Sequence, residues 1–234
     1  MSQDEHRQIA KFYDEIYYHE IESAGSHPSC HALQLIKRLQ VAPGDRLLDV
    51  ACGAGSWLAA VAQHGADISG IDISERAIDA CQRRLPEGVF FLGIAEQLPF
   101  DSHSFDIVTC LGSLEHFLDQ PAALREMARV AKPNAKLVIL VPNAGFPTYR
   151  FGIYRGTQQQ TVRETIRSLD EWQKMLEEAG LEITDRWKDL HVLSRSWIVR
   201  PPFYMVPLRL VQALALTIWP LSWQYQVYHL CRIR

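Results

Sequence analysis

Two aspartates and two glycines bound the chemistry available to this sequence. Asp49 lies near the end of one apolar run, Gly53 and Gly55 follow in a short loop, and Asp72 ends a second run, all within RLLDVACGAGSWLAAVAQHGADISGID (46–72). Carboxylates accept hydrogen bonds from hydroxyls or hold a cation, and glycines let backbone come close to a ligand. The nicotinamide fingerprint G-x-G-x-x-G fails, because Leu58 stands where the third glycine belongs, and the Walker lysine with its Ser/Thr is also missing. Asp49 would repel a pyrophosphate but suits a cationic amine or a sulfonium.

The elements that position these groups follow from periodicity and breakers. Strand 46–51, helix 57–63 and strand 68–71 form a βαβ unit. Ser74 is a suitable N-cap for a helix over 75–85, which Pro86 and Gly88 end. Strand 89–94, strand 105–111, a helix over 122–131 stopped at Lys132, Pro133 and Asn134, and strand 136–141 continue the alternation. The expected fold class is α/β, a mostly parallel sheet with helices on both faces. Ligands of such sheets bind beyond the carboxyl ends of the strands. Residues 1–42 are helical in character and form an amino-terminal cap, and 43–145 form the cofactor-binding core of a single domain.

Composition narrows the classes. With 234 residues, 47% hydrophobic and 22% charged, the chain can bury one substantial core, and a net charge of −3 argues against a dedicated nucleic-acid binder. The five cysteines are scattered without a C-x-x-C and read as reduced thiols. The opening MSQDEHRQ lacks the order of a signal peptide, so the expected location is cytoplasmic.

The motifs DVACGAG, Asp72 after strand two, GIAEQLPF, FDIVTCLGSLEHF and LREMARVAKPNAKLVILVPN, in unbroken order over about 40–145, resemble a class I S-adenosylmethionine-dependent methyltransferase of the methyltransferase-11 or ubiquinone-biosynthesis type. The resemblance implies a Rossmann-like sheet of seven strands, with strand seven inserted antiparallel between strands five and six, and S-adenosyl-L-methionine as cofactor. It implies that Gly53 to Gly55 pass beneath the methionine part with Ala51 alongside, that Asp49 lies near the amino group, and that Asp72, followed by Ile73, takes both ribose hydroxyls. Ala95 and its neighbours would line the adenine, with Leu111 and Gly112 at the mouth of strand four. Ile94 departs from the pattern, which places an acid there for the adenine amino group. Glu96 from the following loop, or backbone and apolar contacts, must then serve. An aromatic residue of the leading helix covers the cofactor in related enzymes, which makes Tyr13 or Tyr17 a candidate lid, with Tyr17 set against the cofactor and Tyr13 against the acceptor; the alternative is that these aromatics pack in the core.

Methyl transfer is an in-line displacement that orientation and exclusion of water can accelerate without a covalent catalyst. If the acceptor holds a proton, Glu115 and His116 are the best-placed ionisable pair, against the simpler reading that Glu115 pairs locally and His116 packs on the cofactor. Ubiquinone O-methyltransferases carry another acid three residues before this pair, where it helps hold a metal. Gly112 stands there in this chain, so no metal is expected.

Segment 146–168 follows strand five, where this fold commonly builds its acceptor pocket, and Asn143, Tyr149 and Tyr154 are candidates for that pocket. Residues 168–178 read as a helix capped by Ser168 and Glu171, and 181–190 as strand six. The apolar stretch 203–223, within an insertion over 191–222, is interrupted by Pro207, Arg209, Gln212 and Pro220, and its helix of about 13 residues falls short of the roughly 20 a span needs. It packs on the domain or on a second subunit, or it lies at a membrane surface; packing is the favoured reading. The chain is expected to be a monomer or homodimer acting on a small, apolar or aromatic molecule. A cofactor-binding module without catalysis and a nicotinamide oxidoreductase are the alternatives.

Overall fold

The computed structural model describes residues 3–18, 29–150, 152 and 164–234. Its elements are α1 (Gln3–Phe12), α2 (Cys30–Leu39), β1 (Arg46–Val50), α3 (Ser56–Ala62), β2 (Asp67–Asp72), α4 (Glu75–Arg84), β3 (Val89–Leu92), β4 (Phe105–Leu111), α5 (Gln120–Val130), β5 (Ala131–Pro142), α6 (Pro147–Arg150), α7 (Leu169–Glu178), β6 (Leu181–Lys188), α8 (Arg195–Ile198), α9 (Val206–Ile218) and β7 (Gln226–Ile233). The seven strands form one sheet in the order β3-β2-β1-β4-β5-β7-β6, and β7 runs antiparallel to both its neighbours. The fold is the Rossmann-like class I methyltransferase architecture expected from the sequence. β1 lies between β2 and β4, parallel to both, so the strand order reverses at its carboxyl end and a crevice opens there.

Each face of the sheet buries its own apolar layer. Leu124 and Met127 of α5 and Trp172 and Leu176 of α7 pack on one side, and Leu35 and Leu39 of α2, Leu58 of α3 and Ile78 of α4 on the other. The Trp172 indole donates to the Pro142 carbonyl at 2.8 Å, which satisfies its only polar atom inside the core.

Local chemistry sets the helix ends. Ser74 and Ser168 cap α4 and α7 through their hydroxyls, and Glu171 completes a capping box by accepting from the Ser168 backbone N–H. Removing that cap is expected to cost about 1 kcal/mol. Ser168→Ala should therefore lower the urea midpoint at an unchanged m-value.

Of the boundaries that differ from the sequence reading, those of β5 and β3 bear most on the sheet and the crevice. β5 begins at Ala131 rather than at Lys136, because Phe105 pairs with Ala131 and Ile107 with Lys136, and residues 132–135 loop out of the ladder between those pairs. Pro133, which cannot donate to a ladder, sits in that bulge. β3 ends at Leu92, which leaves 93–96 as a loop at the crevice.

Between β6 and β7, α9 turns Arg209, Ala213 and Leu216 inward, while Leu208, Val211, Leu214 and Ile218 are exposed. The Lys188 ammonium donates to the Thr217 carbonyl at the carboxyl end of the helix. No helix among the described residues is long and apolar enough to cross a membrane.

Candidate active site

The loop after β1 reverses direction through three left-handed residues, Ala51 (φ 61°), Gly53 (φ 54°) and Gly55 (φ 70°). Glycine reaches this region without a Cβ penalty; Ala51 sits there at a cost of about 1–2 kcal/mol. Space is as tight as conformation at Gly53, where an added Cβ would lie 2.9 Å from the Tyr18 hydroxyl.

Asp72 fixes this loop. Its Oδ2 accepts from Gly53 N–H at 2.8 Å and its Oδ1 from Ser74 N–H at 2.9 Å. Burial raises its pKa, and the backbone N–H donors oppose that shift. Each oxygen keeps an acceptor site beyond its N–H. Ser74 in turn donates its hydroxyl to Asp14 at 2.6 Å, which ties the amino-terminal segment to the start of α4.

Asp49 is buried deeper. Thr109 donates to its Oδ1 at 2.6 Å, and the Trp57 indole donates to Thr109 at 3.2 Å, so Trp57 is engaged in packing beneath the loop. Desolvation pushes the Asp49 carboxyl up to about 7, with the Thr109 hydrogen bond opposing the shift.

A cleft lies over the strand tips. Ala51, Ile71, Asp72, Ile73 and the loop Gly93 to Glu96 line one side, Ser113 and His116 to Leu118 close the end beyond β4, and His6, Ile9, Tyr13 and Tyr18 cover it. Of the sequence-derived candidates, Tyr13, Ala51, Asp72, Ile73, Ile94, Ala95, Glu96 and His116 therefore meet in one cavity. Asp49, Gly53 and Gly55 lie at or beneath its floor loop, and Leu111 packs into the core on the α2 side.

Tyr17, Asn143 and Tyr149 are among the candidates that stand apart from the cleft. Tyr17 is 57% exposed. The reason is a π-helical turn over Tyr13–Tyr17, in which Tyr18 N–H bonds Tyr13 C=O at 2.8 Å. Tyr18 lines the cleft beside Tyr13, whereas Tyr17, whose ring still meets that of Tyr13 edge-on at 5.5 Å, is left at the surface, and such turns occur often at functional sites. Asn143 is fully committed to backbone: its Nδ2 donates to the Ser222 and Gln224 carbonyls and its Oδ1 accepts from Gly145 N–H, so it pins β5 to the approach of β7 rather than facing the cleft. Tyr149 lies on α6 outside the cavity lining, and Tyr154 lies outside the described residues.

Glu115 and His116 occupy a 3-10 turn, Leu114–His116, directly after β4. The Glu115 carboxyl is pushed up to about 8 by burial, and its Oε2 has no hydrogen-bond partner among the described residues. Burial lowers the His116 pKa, and its Nδ1 is likewise buried without a partner among the described residues. His116 faces the cleft; Glu115 does not line it. Cys52 is buried with its sulfur 4.0 Å from that of Cys81, and its thiol pKa is raised, so it packs as a small thiol.

Comparison with known proteins places this arrangement. The profile of a family described as a methyltransferase domain matches residues 48–139. The ubiquinone biosynthesis O-methyltransferase of Hahella chejuensis is 32% identical over 175 residues, covering 73% of each chain. The chain belongs to the class I S-adenosylmethionine-dependent methyltransferase family. The demethylmenaquinone methyltransferase of Renibacterium salmoninarum is 37% identical over 127 residues, covering 54% of this chain and 52% of that one. The chain thus spans between 52% and 73% of the length of these two curated relatives. A solved S-adenosylmethionine-dependent methyltransferase from Mesorhizobium loti superposes with a TM-score of 0.64 over 87% of this chain and 98% of that one, at 14% identity, and so shares the fold.

The residues present fit the family's cofactor. Asp72 has open acceptor sites towards the cleft, the left-handed turn at Gly53 favours a residue without a Cβ, and the lining around Ile71, Ile94 and Ala95 offers an apolar slot for a flat ring.

Proposed function

We propose that the protein transfers a methyl group from S-adenosyl-L-methionine to a small, apolar or aromatic acceptor. The observation that carries the reading is the Asp72 carboxylate at the tip of β2, pinned by the Ser74 N–H and by the Gly53 N–H of the loop after β1, beside the crevice where the strand order reverses. The activities named for the Hahella and Renibacterium relatives, in ubiquinone biosynthesis and on demethylmenaquinone, support an acceptor of that chemical kind. The O-methyltransferase activity named for the Hahella relative favours oxygen as the methylated atom.

The cofactor, when bound, supplies a methyl group on a positively charged sulfur. The chain supplies the rest. Asp72 accepts from the ribose hydroxyls, the Gly53 turn admits the methionyl part, and Asp49 faces its ammonium. Tyr13, Tyr18 and Ile9 cover the cleft and exclude water, which would otherwise solvate the reacting centre. Neutral His116 takes the acceptor's proton at one of its ring nitrogens.

Titration of S-adenosylhomocysteine tests the cofactor half of this reading, and transfer of a labelled methyl group to demethylated quinone precursors tests the acceptor half. Binding with no transfer to such precursors would move the acceptor to another chemical class.

Asp49 makes the binding pH-dependent. With its carboxyl near 7 in the free protein, an arriving ammonium favours the ionised form, so below that pH binding must first expel a proton. Affinity for S-adenosylhomocysteine is expected to rise about tenfold from about pH 6 to about pH 8 and then level off. Asp49→Asn should flatten the profile, as calorimetry at several pH values would show. A slope that survives the substitution belongs to a different group.

A further inference from the structure

The adenine end of the cleft lacks the acid that the family pattern places at position 94. Ile94 lines the cleft there and can neither donate nor accept through its side chain. Two polar side chains meet at the same place from opposite walls. Glu96, from the loop after β3, lines the cleft with its Oε1 accepting from the Asp119 N–H at 3.1 Å, a contact that anchors the carboxylate to the start of α5. His6, from α1, lines the opposite wall, and its Nε2 is buried with no hydrogen-bond partner among the described residues. The His6 Nε2 and the Glu96 Oε2 are 4.0 Å apart. At that distance they do not hydrogen-bond to each other, yet they can reach neighbouring atoms on one ring edge.

We propose that His6 and Glu96 together read the amino edge of the cofactor's adenine in place of the missing acid, so that α1 supplies base specificity as well as cover. The inference rests on the cofactor reading above. The 6-amino group of adenine donates, which suits the Glu96 carboxylate, and the adjacent ring N1 accepts, which suits an N–H at His6 Nε2. Hypoxanthine reverses both: its 6-oxo group would face the carboxylate and its N1–H would face the imidazole donor. A buried polar group left facing its own kind is the strongest source of discrimination such a site can have. The anchored Oε1 explains why Glu96 can serve from a loop: the Asp119 N–H holds one oxygen and leaves the other for the ligand.

The test is calorimetric titration of the native protein, His6→Ala, Glu96→Gln and Asp72→Ala with S-adenosylhomocysteine and with its deaminated analogue, S-inosylhomocysteine. The native protein is expected to prefer the adenine ligand by about 100-fold. His6→Ala should weaken the adenine ligand about tenfold and narrow the preference. Glu96→Gln can still accept through its amide oxygen, and so retain the Asp119 contact, but its amide NH2 can now donate to the 6-oxo group; the preference should shrink most here. Asp72→Ala should weaken both ligands alike. Native-like preference in both His6→Ala and Glu96→Gln, with circular dichroism showing intact folds, overturns the inference alone. If the native protein binds neither nucleoside, the cofactor reading fails and the inference falls with it.

Discussion

Asp72→Ala is expected to raise the dissociation constant for S-adenosylhomocysteine by at least about 100-fold. A hydrogen bond from a neutral donor to a charged acceptor contributes about 1.5–3 kcal/mol, and losing two of them at the ribose corresponds to roughly two to four decades in affinity. The native contacts define what else the substitution does. Asp72 also satisfies the Gly53 and Ser74 N–H groups, so alanine leaves two backbone donors short of a partner and loosens the loop beneath the methionyl part. Asp72→Asn separates the two effects. Its carbonyl oxygen still accepts one N–H and one hydroxyl, while its NH2 opposes the second N–H, so affinity should fall between the native and alanine values. Near-native affinity in Asp72→Ala would mean that the ribose lies elsewhere, and the proposed function would lose the observation that carries it.

The legible part of this molecule is the part in which local rules and tertiary structure agree. Apolar runs of five to seven residues ending at Val50, Asp72 or Leu111, with glycine, proline or capping serine between them, specify parallel strands and crossover helices, and the family resemblance implied β7 between β5 and β6. The cleft residues nearest the strand tips were legible for the same reason: once the strands are placed, the residues at their ends are placed.

Other positions depended on geometry that has no local signature. The lid position at Tyr17 follows from the family resemblance alone, and the π turn over Tyr13–Tyr17 leaves Tyr18, rather than Tyr17, lining the cleft with Tyr13. Asn143 was read as a pocket residue because it follows β5. Its actual partners, the carbonyls of Ser222 and Gln224, lie 79 and 81 residues further along the chain. His6 sits on a polar, charged helix, and only the fold brings it opposite Glu96. The apolar segment divides between its faces: Arg209, Ala213 and Leu216 are buried while Val211 and Leu214 remain exposed.

His116→Ala is expected to lower kcat by about 10²–10⁴-fold, the usual range for loss of a positioned general base, while leaving S-adenosylhomocysteine affinity within a few-fold of native. The pH profile then decides whether the imidazole or its neighbour takes the proton. Burial lowers the His116 pKa, so its neutral, proton-accepting form persists to lower pH than an ordinary histidine near 6.5. With His116 as base, kcat should climb with pH along a limb centred below that value and be flat through neutrality. Glu115 predicts a different curve. Its carboxyl, pushed up to about 8, is largely protonated at neutral pH, and a base of that kind would give a limb centred near 8. Geometry agrees with the first curve, because His116 lines the cleft and Glu115 does not. Glu115→Gln serves as the control: it preserves the shape of a protonated carboxyl, and an unchanged profile in that variant, beside the lost limb in His116→Ala, would place the proton on the imidazole. A limb near 8 that disappears in Glu115→Gln would transfer the role to the carboxylate.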